Sequence, residues 1–315
     1  MKKQQHRHLS EGRKMFAIVM TIFAAYAAIF IAFEDYDRRW IQPFDEVSDW
    51  HLLAFSLVVM ALLSLILHRY ARRMDERISQ EQALKENRMR RELTQNIAHE
   101  LKTPVASILG YAETMLDNPN LPPDTLHRFI LRTRAQAQRL SALLQDISLL
   151  NRMDYAADML ARERIDVSVL VQEIVLETQL ALERRHMTVR NCLPESIITE
   201  GNPMLVYSIF RNLFDNAINY AGENTTITIS ADNEGKWWRF QFADNGQGIA
   251  QEHLSRIFER FYRIDKGRSR QLGGTGLGLA IVKNAVLMHG GNISAQPLPQ
   301  GGVTFTFTLP NVQKI

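Results

Sequence analysis

Nineteen consecutive residues without a charge, "MFAIVMTIFAAYAAIFIAF" at 15–33, constrain this chain more than any other stretch in it. A helical run of that length matches the apolar core of a bilayer. The shorter segment "LLAFSLVVMALLSLIL" at 52–67 repeats the pattern, with Trp50 and Tyr70 placed as interfacial anchors. The first run is too long for the apolar centre of a cleaved leader, and no small-residue cleavage pattern follows it. Lys2, Lys3, Arg7, Arg13 and Lys14 precede the first segment, and Arg69, Arg72, Arg73 and Arg77 follow the second. The bias of basic residues toward the inside places both ends in the cytoplasm. The expectation is a transmembrane hairpin over 1–70, with an acidic extracytoplasmic loop at 34–50 too short to bury a core of its own.

The remaining sequence reads as helical and mixed α/β segments. The formal net charge of the 315 residues is +3, with no dense Lys/Arg tract, so charge gives no support to nucleic-acid binding. The single cysteine, Cys192, excludes an intrachain disulfide and reads as a buried bystander. Residues 71–92 are rich in Arg, Glu and Gln and lack Gly and Pro, which predicts a helical linker leaving the membrane.

Beyond the linker, apolar residues recur at spacings of three and four: Leu93, Ile97, Leu101, Val105, Ile108, Ala112 and Met115. "NPNLPPD" interrupts them, and Leu126, Ile130, Thr133, Ala137, Leu140, Leu144 and Ile147 form a second stripe. This predicts an antiparallel helical hairpin over 93–155. Two helices leave one side of each stripe wet, so a second copy is expected to complete a four-helix bundle with two-fold symmetry.

Within the first helix, "HELKTP" begins at His99. At about 100° per residue, His99 lies roughly 200° from both Ile97 and Leu101 and points away from the stripe. Thr103, four residues on, shares its face. Pro104 removes a helical donor to the carbonyl of Glu100 and is expected to bend the helix. An outward imidazole is a usable nucleophile near neutral pH, with Glu100 beside it as a partner for one ring nitrogen. A solvated surface histidine is the plain alternative. A zinc-protease reading fails, because no second His stands at i+4.

From about 160 to 312 helical and strand patterns mix. "TTITISA", "WWRFQFAD" and "VTFTFTL" alternate with period two, and helical segments at 166–185, 203–220 and 276–289 can cover one face of a sheet. The class is an α/β sandwich. Four clusters fall within it in a fixed order. "RNLFDNAINYA" projects Asn212 and Asn216 from one helix face, and amide oxygens suit magnesium. "DNGQGI" puts Asp244 at a strand end, with Gly246 and Gly248 permitting close backbone approach. "IFERFYR" is aromatic and basic. "GGTGLGLAIV" opens a helix whose first amides suit phosphate oxygens. Each cluster alone is a weak signal; their order within about seventy residues is the strong one.

Together with "HELKTPVASILG", these clusters resemble the membrane sensor histidine kinases of bacterial two-component systems. The four later motifs look like the N, first glycine, F and second glycine boxes of the Bergerat ATP-binding fold. The resemblance implies an α+β multidomain protein in the bacterial inner membrane, with a dimerisation and phosphotransfer domain at 93–155 and a catalytic domain at 160–312. It implies that His99 accepts the γ-phosphoryl group of ATP, that Glu100 acts as general base, and that Thr103 positions water for dephosphorylation. Asn216 would bind Mg2+ with Asn212 alongside. Tyr220 would lie near the nucleotide, and Asp244 would accept from the adenine amino group, with Gly246 and Gly248 beside it. Residues 259–275 would form a mobile lid, with Arg260 or Arg263 near the phosphates. Gly274, Thr275, Gly276, Leu277 and Gly278 would form the phosphate loop. Asn219 stands where many members carry Lys, and Lys266, Arg268 and Arg270 are the substitutes. The implied partners are a second copy of the chain, a response regulator and the lipid bilayer. A regulator phosphatase using Thr103 and a non-catalytic membrane scaffold are the competing functions.

Overall fold

The computed structural model describes residues 47–155, 161–265 and 274–312. The chain divides into two compact units, Met1–Leu84 and Lys85–Ile315. The apolar run at 15–33 and the loop at 34–46 lie outside the described residues. In the first unit the run at 52–67 is helical. Val58, Met60, Leu65 and Ile66 present their side chains outward. Among the described residues no helix is long and apolar enough to cross a membrane.

Helix α1, Val47–Asp117, runs 71 residues and continues through Pro104. The carbonyls near the proline find side-chain donors: Thr103 Oγ1 donates to the His99 carbonyl at 3.4 Å, and Ser107 Oγ to the Thr103 carbonyl at 3.1 Å. Asn118–Pro122 turns the chain, and α2, Pro123–Tyr155, returns as the second arm of the expected hairpin. Tyr111 stacks on Phe129 across the arms at 5.5 Å. Leu126, Ile130 and Leu144 of the second stripe remain exposed. The buried apolar residues of α2 are instead Leu143, Leu150 and Met153, which join the core of the α/β region. Periodicity alone does not separate this face from the stripe, because α2 carries apolar residues on two sides.

The α/β region begins with β1 (Glu163–Asp166), α3 (Val167–Arg184), β2 (Thr188–Cys192), β3 (Ile198–Gly201) and α4 (Pro203–Tyr220). It continues with β4 (Thr226–Asn233), β5 (Trp237–Asp244), a short α5 (Gln251–Leu254), α6 (Gly278–Met288), β6 (Ile293–Pro297) and β7 (Val303–Pro310). Five strands form one sheet in the order β2-β4-β5-β7-β6, while β1 and β3 pair separately. Only β2 and β4 are parallel; the other pairs of the main sheet are antiparallel.

The period-two pattern of β5 and β7 puts Phe240 opposite Phe307 and Phe242 opposite Phe305, all buried. Helix α4 lays Phe210 against Phe240 and Phe307, and Phe214 against Phe242, in edge-on contacts of 5.2–5.5 Å. Such aromatic pairs add about 0.5–1.5 kcal/mol each beyond their buried area. Asp166 and Asn202 cap α3 and α4, accepting from the amides of Ser168 and Leu205. Cys192, expected to be buried, is exposed. It ends edge strand β2 opposite Ser230, where Arg190, Asn191 and Cys192 are exposed in succession.

Candidate functional site

The strand–helix pattern brings residues of all four sequence clusters around one cavity of about 440 Å³, within the usual range for a small-molecule site. From α4 come Asn212, Asp215, Asn216, Asn219 and Tyr220, spaced along the helix so that one face lines the cavity. Asp244 enters from the end of β5, with Gln247 and Gly248 just after it. The opening of α6 adds Gly274, Thr275, Gly276 and Gly278. The segment before them contributes Tyr262 and Arg263.

Local geometry requires the glycines. A Cβ on Gly246 would come within 2.2 Å of the Ala221 carbonyl oxygen, so a side chain there would push β5 away from α4. Gly246 and Leu277 therefore shape the walls without lining the cavity; Leu277 is fully buried. Gly276 has φ +74°, and its carbonyl accepts from the Phe261 amide at 2.8 Å. Phe261 itself sits at φ 63°, an uncommon conformation for a bulky residue, held by that bond.

Asp244 is 5% exposed, and its Oδ1 accepts from the Gly246 amide at 3.0 Å. Burial pushes its carboxyl up from the ordinary carboxylate range, opposed by the amides of Gly246 and Val303. Asp215 is also raised by burial, against the pull of Arg211, whose Nε lies 3.1 Å from Oδ2. Asn212 donates to the Ser208 carbonyl at 2.8 Å, which fixes the amide so that its oxygen faces Gly278. Tyr262 is held by His253 Nδ1 at 2.8 Å and by the Arg256 guanidinium over its ring. Among the described residues lining the cavity, Arg263 is the only cation, against the carboxylates of Asp146, Asp215, Asp244 and Asp265.

The helical hairpin meets this site. Ala142 and Asp146 of α2 line the cavity, and Thr275 Oγ1 donates to Asp146 Oδ2 at 2.8 Å. Arg263 Nη2 donates to Glu100 Oε2 at 3.0 Å and to the Gly274 carbonyl at 2.7 Å. Arg139 also reaches Glu100, at 3.4 Å. Arg260, expected near phosphates, instead pairs with Asp154 of α2 at 2.7 Å and does not line the cavity. His99 is exposed on α1, outside the cavity lining, and Thr103 lies one turn beyond it. The expected lid over 259–275 falls partly on residues 266–273, outside the described residues, as do Lys266, Arg268 and Arg270. Asp146, Ala142 and Asp215 were missed. Asp215 had a readable signal in its place between Asn212 and Asn216, whereas only the docking of α2 reveals Asp146.

Residues 89–156 match the His Kinase A (phospho-acceptor) domain family. Residues 201–313 match the family described as histidine kinase-, DNA gyrase B- and HSP90-like ATPases. The chain belongs to the histidine kinase family. The sensor-like histidine kinase SenX3 of Mycolicibacterium smegmatis is 36% identical to it over 221 residues, covering 70% of this chain and 57% of SenX3. The chain thus spans little more than half the length of that relative. Two solved structures share the fold. Histidine kinase ThkA, in complex with response regulator TrrA, superposes with a TM-score of 0.57 at 23% identity, over 70% of this chain and 61% of that one. Full-length ShkA, in complex with AMPPNP, gives 0.53 at 24% identity, over 69% of this chain and 45% of that one.

Proposed function

We propose that this histidine kinase binds ATP in the cavity between α4, β5 and α6, phosphorylates His99, and passes the phosphoryl group to an aspartate of a response regulator. The observation that carries this reading is one compact unit holding both an outward histidine and a cavity with a buried carboxylate at one wall and a glycine-rich helix opening at another. The likeness to SenX3 over the same span supports it.

The parts divide the work. Asp244 accepts from the amino group of adenine, a neutral donor that a buried carboxylate discriminates by hydrogen bonding. The amides at the start of α6 face the phosphates. Among the described residues the cavity has four carboxylates and one cation, itself engaged with Glu100, so these residues fit a divalent ion that neutralises a polyphosphate. Asn216 and Asn212 would hold Mg2+, which supplies charge neutralisation at the transferred group. Glu100 takes the imidazole proton as His99 attacks, once freed from Arg263. Thr103 serves the reverse task, orienting water toward the regulator's phosphoryl group. Catalysis here is positioning plus electrostatics.

The uncharged run at 15–33 and the outward apolar side chains at 58–66 support a two-segment anchor in the bilayer, with both termini cytoplasmic. The exposed apolar residues of the hairpin support a homodimer.

Incubating the full chain in nanodiscs with γ-labelled ATP and Mg2+ tests the proposal. The label should be acid-labile and base-stable, as a phosphoramidate is. His99→Gln should remove it while leaving nucleotide affinity unchanged, and Thr103→Ala should keep it while slowing regulator dephosphorylation. Persistent labelling of the His99 variant would sink the assignment; equal loss of both activities in the Thr103 variant would remove that residue's separate role.

A further inference from the structure

We propose that Asp146 is a built-in competitor for the phosphate side of the nucleotide cavity, so that docking of the hairpin and binding of a nucleotide's terminal phosphates oppose each other. The inference rests on the nucleotide-site reading above and adds an antagonist supplied by the chain itself.

The geometry places a carboxylate where an anionic ligand is expected. Thr275 Oγ1 donates to Asp146 Oδ2 at 2.8 Å and accepts from the Leu277 amide at 3.2 Å. A hydroxyl and backbone amides at a glycine-rich helix opening are donors suited to phosphate oxygens. Here the hydroxyl is already given to a side chain of α2. Asp146 also lines the cavity itself, so its charge faces the ligand space. Burial pushes its carboxyl up, the Thr275 hydrogen bond opposes that rise, and the nearby Asp215 charge adds to it. Bringing phosphates to Thr275 adds more charge of the same sign.

Asp146 cannot leave alone without losing its donor, and it is tied to a docked face. Leu143, Leu150 and Met153 share that face at helical spacing and are buried in the α/β core. Arg260 pairs with Asp154 further along the same helix, and Arg263 with Glu100 on the other arm. A ligand that binds better when this face is released shifts the population toward release. By reciprocity, docking weakens that ligand by the same factor. The competition is selective: it acts on the phosphates and leaves adenosine, held through Asp244, indifferent to it.

The test measures dissociation constants of AMPPNP with Mg2+ and of adenosine for the full chain in nanodiscs, comparing wild type with Asp146→Ala and Asp146→Asn. The exposed neighbour Gln145→Ala is the control. Removing the carboxylate should tighten AMPPNP about tenfold while adenosine stays within about twofold, the size of ordinary coupling between sites. Asp146→Asn keeps the side-chain shape and an acceptor for Thr275, so its gain reports charge rather than damage to the fold. Unchanged AMPPNP affinity in both variants overturns the proposal. Weaker affinity overturns it too, and makes Asp146 a ligand for the nucleotide's cation. Tightening of adenosine by the same factor as AMPPNP would also overturn it, since the effect would then be on the cavity as a whole. If wild type and variants bind neither ligand, the nucleotide reading itself falls; binding without selective tightening removes only the competitor.

Discussion

At the scale of single residues, Asp244 sets function against stability. Its buried carboxyl is raised in the folded chain, so the folded state holds that proton more tightly than the unfolded one. The stability it contributes is present below the unfolded value of about 3.9 and is lost as pH rises through the raised folded value. At neutral pH the buried charge therefore works against the fold. Asp244→Asn should raise the melting temperature at pH 7 in the absence of nucleotide, with the gain vanishing toward pH 3. The same change turns an acceptor into a donor opposite the adenine amino group and should weaken ATP binding on the order of 100-fold. Calorimetry and a binding titration on one preparation give both numbers. A variant no more stable than wild type at pH 7 would contradict the burial argument. This residue was legible in the sequence because "DNG" closes a period-two strand, and Asn212 and Asn216 because four residues span about one helical turn. Asp146 was not legible. Nothing in α2 distinguishes its polar position from the solvated ones until the helix is docked.

At the scale of elements, the α/β region depends on a histidine that chemistry does not use. His289 is 4% exposed at the end of α6. Its Nδ1 lies 2.7 Å from the Ala285 carbonyl, and its Nε2 accepts from the Asn202 amide at 3.1 Å. That assigns the ring as neutral, with the proton on Nδ1. It ties the end of α6 to the start of α4, the two helices that frame the cavity. Burial lowers its pKa, opposed by the Ala285 carbonyl and reinforced by the Arg162 charge. A depressed histidine contributes stability that is full above its unfolded value of about 6.5 and is lost as pH falls through the folded one. His289→Ala should cost about 1–3 kcal/mol at pH 7, from an orphaned amide and a lost packing group. It should also flatten the acid limb of the stability profile below about pH 6.5. Denaturant titrations across that range decide it, and an unchanged acid limb would place the proton elsewhere. The order of strands and helices was largely readable from periodicity. The hairpin was readable as a hairpin, but its apolar residues serve two different partners, and a single stripe cannot say which.

At the scale of the whole molecule, that division predicts where a second copy sits. Leu143, Leu150 and Met153 are committed to the α/β region, whereas Ile130 and Leu144 are about half exposed in the single chain. Replacing Ile130 and Leu144 with Asp should yield monomers in sedimentation analysis while thermal unfolding of the α/β region stays within about 0.5 kcal/mol of wild type, as for surface changes. Charging Leu101 would be a poorer choice, because it packs against the core cluster. A surviving dimer would move the interface off this face. Cys192 bears on the same arrangement. It is the sole cysteine of the chain, it is exposed, and it ends an edge strand away from the residues that line the cavity. A maleimide dye therefore marks each chain once, with no substitution needed. In an assembly of two copies the dyes form a matched pair, and energy transfer between them becomes a ruler for the separation of the α/β regions with and without nucleotide.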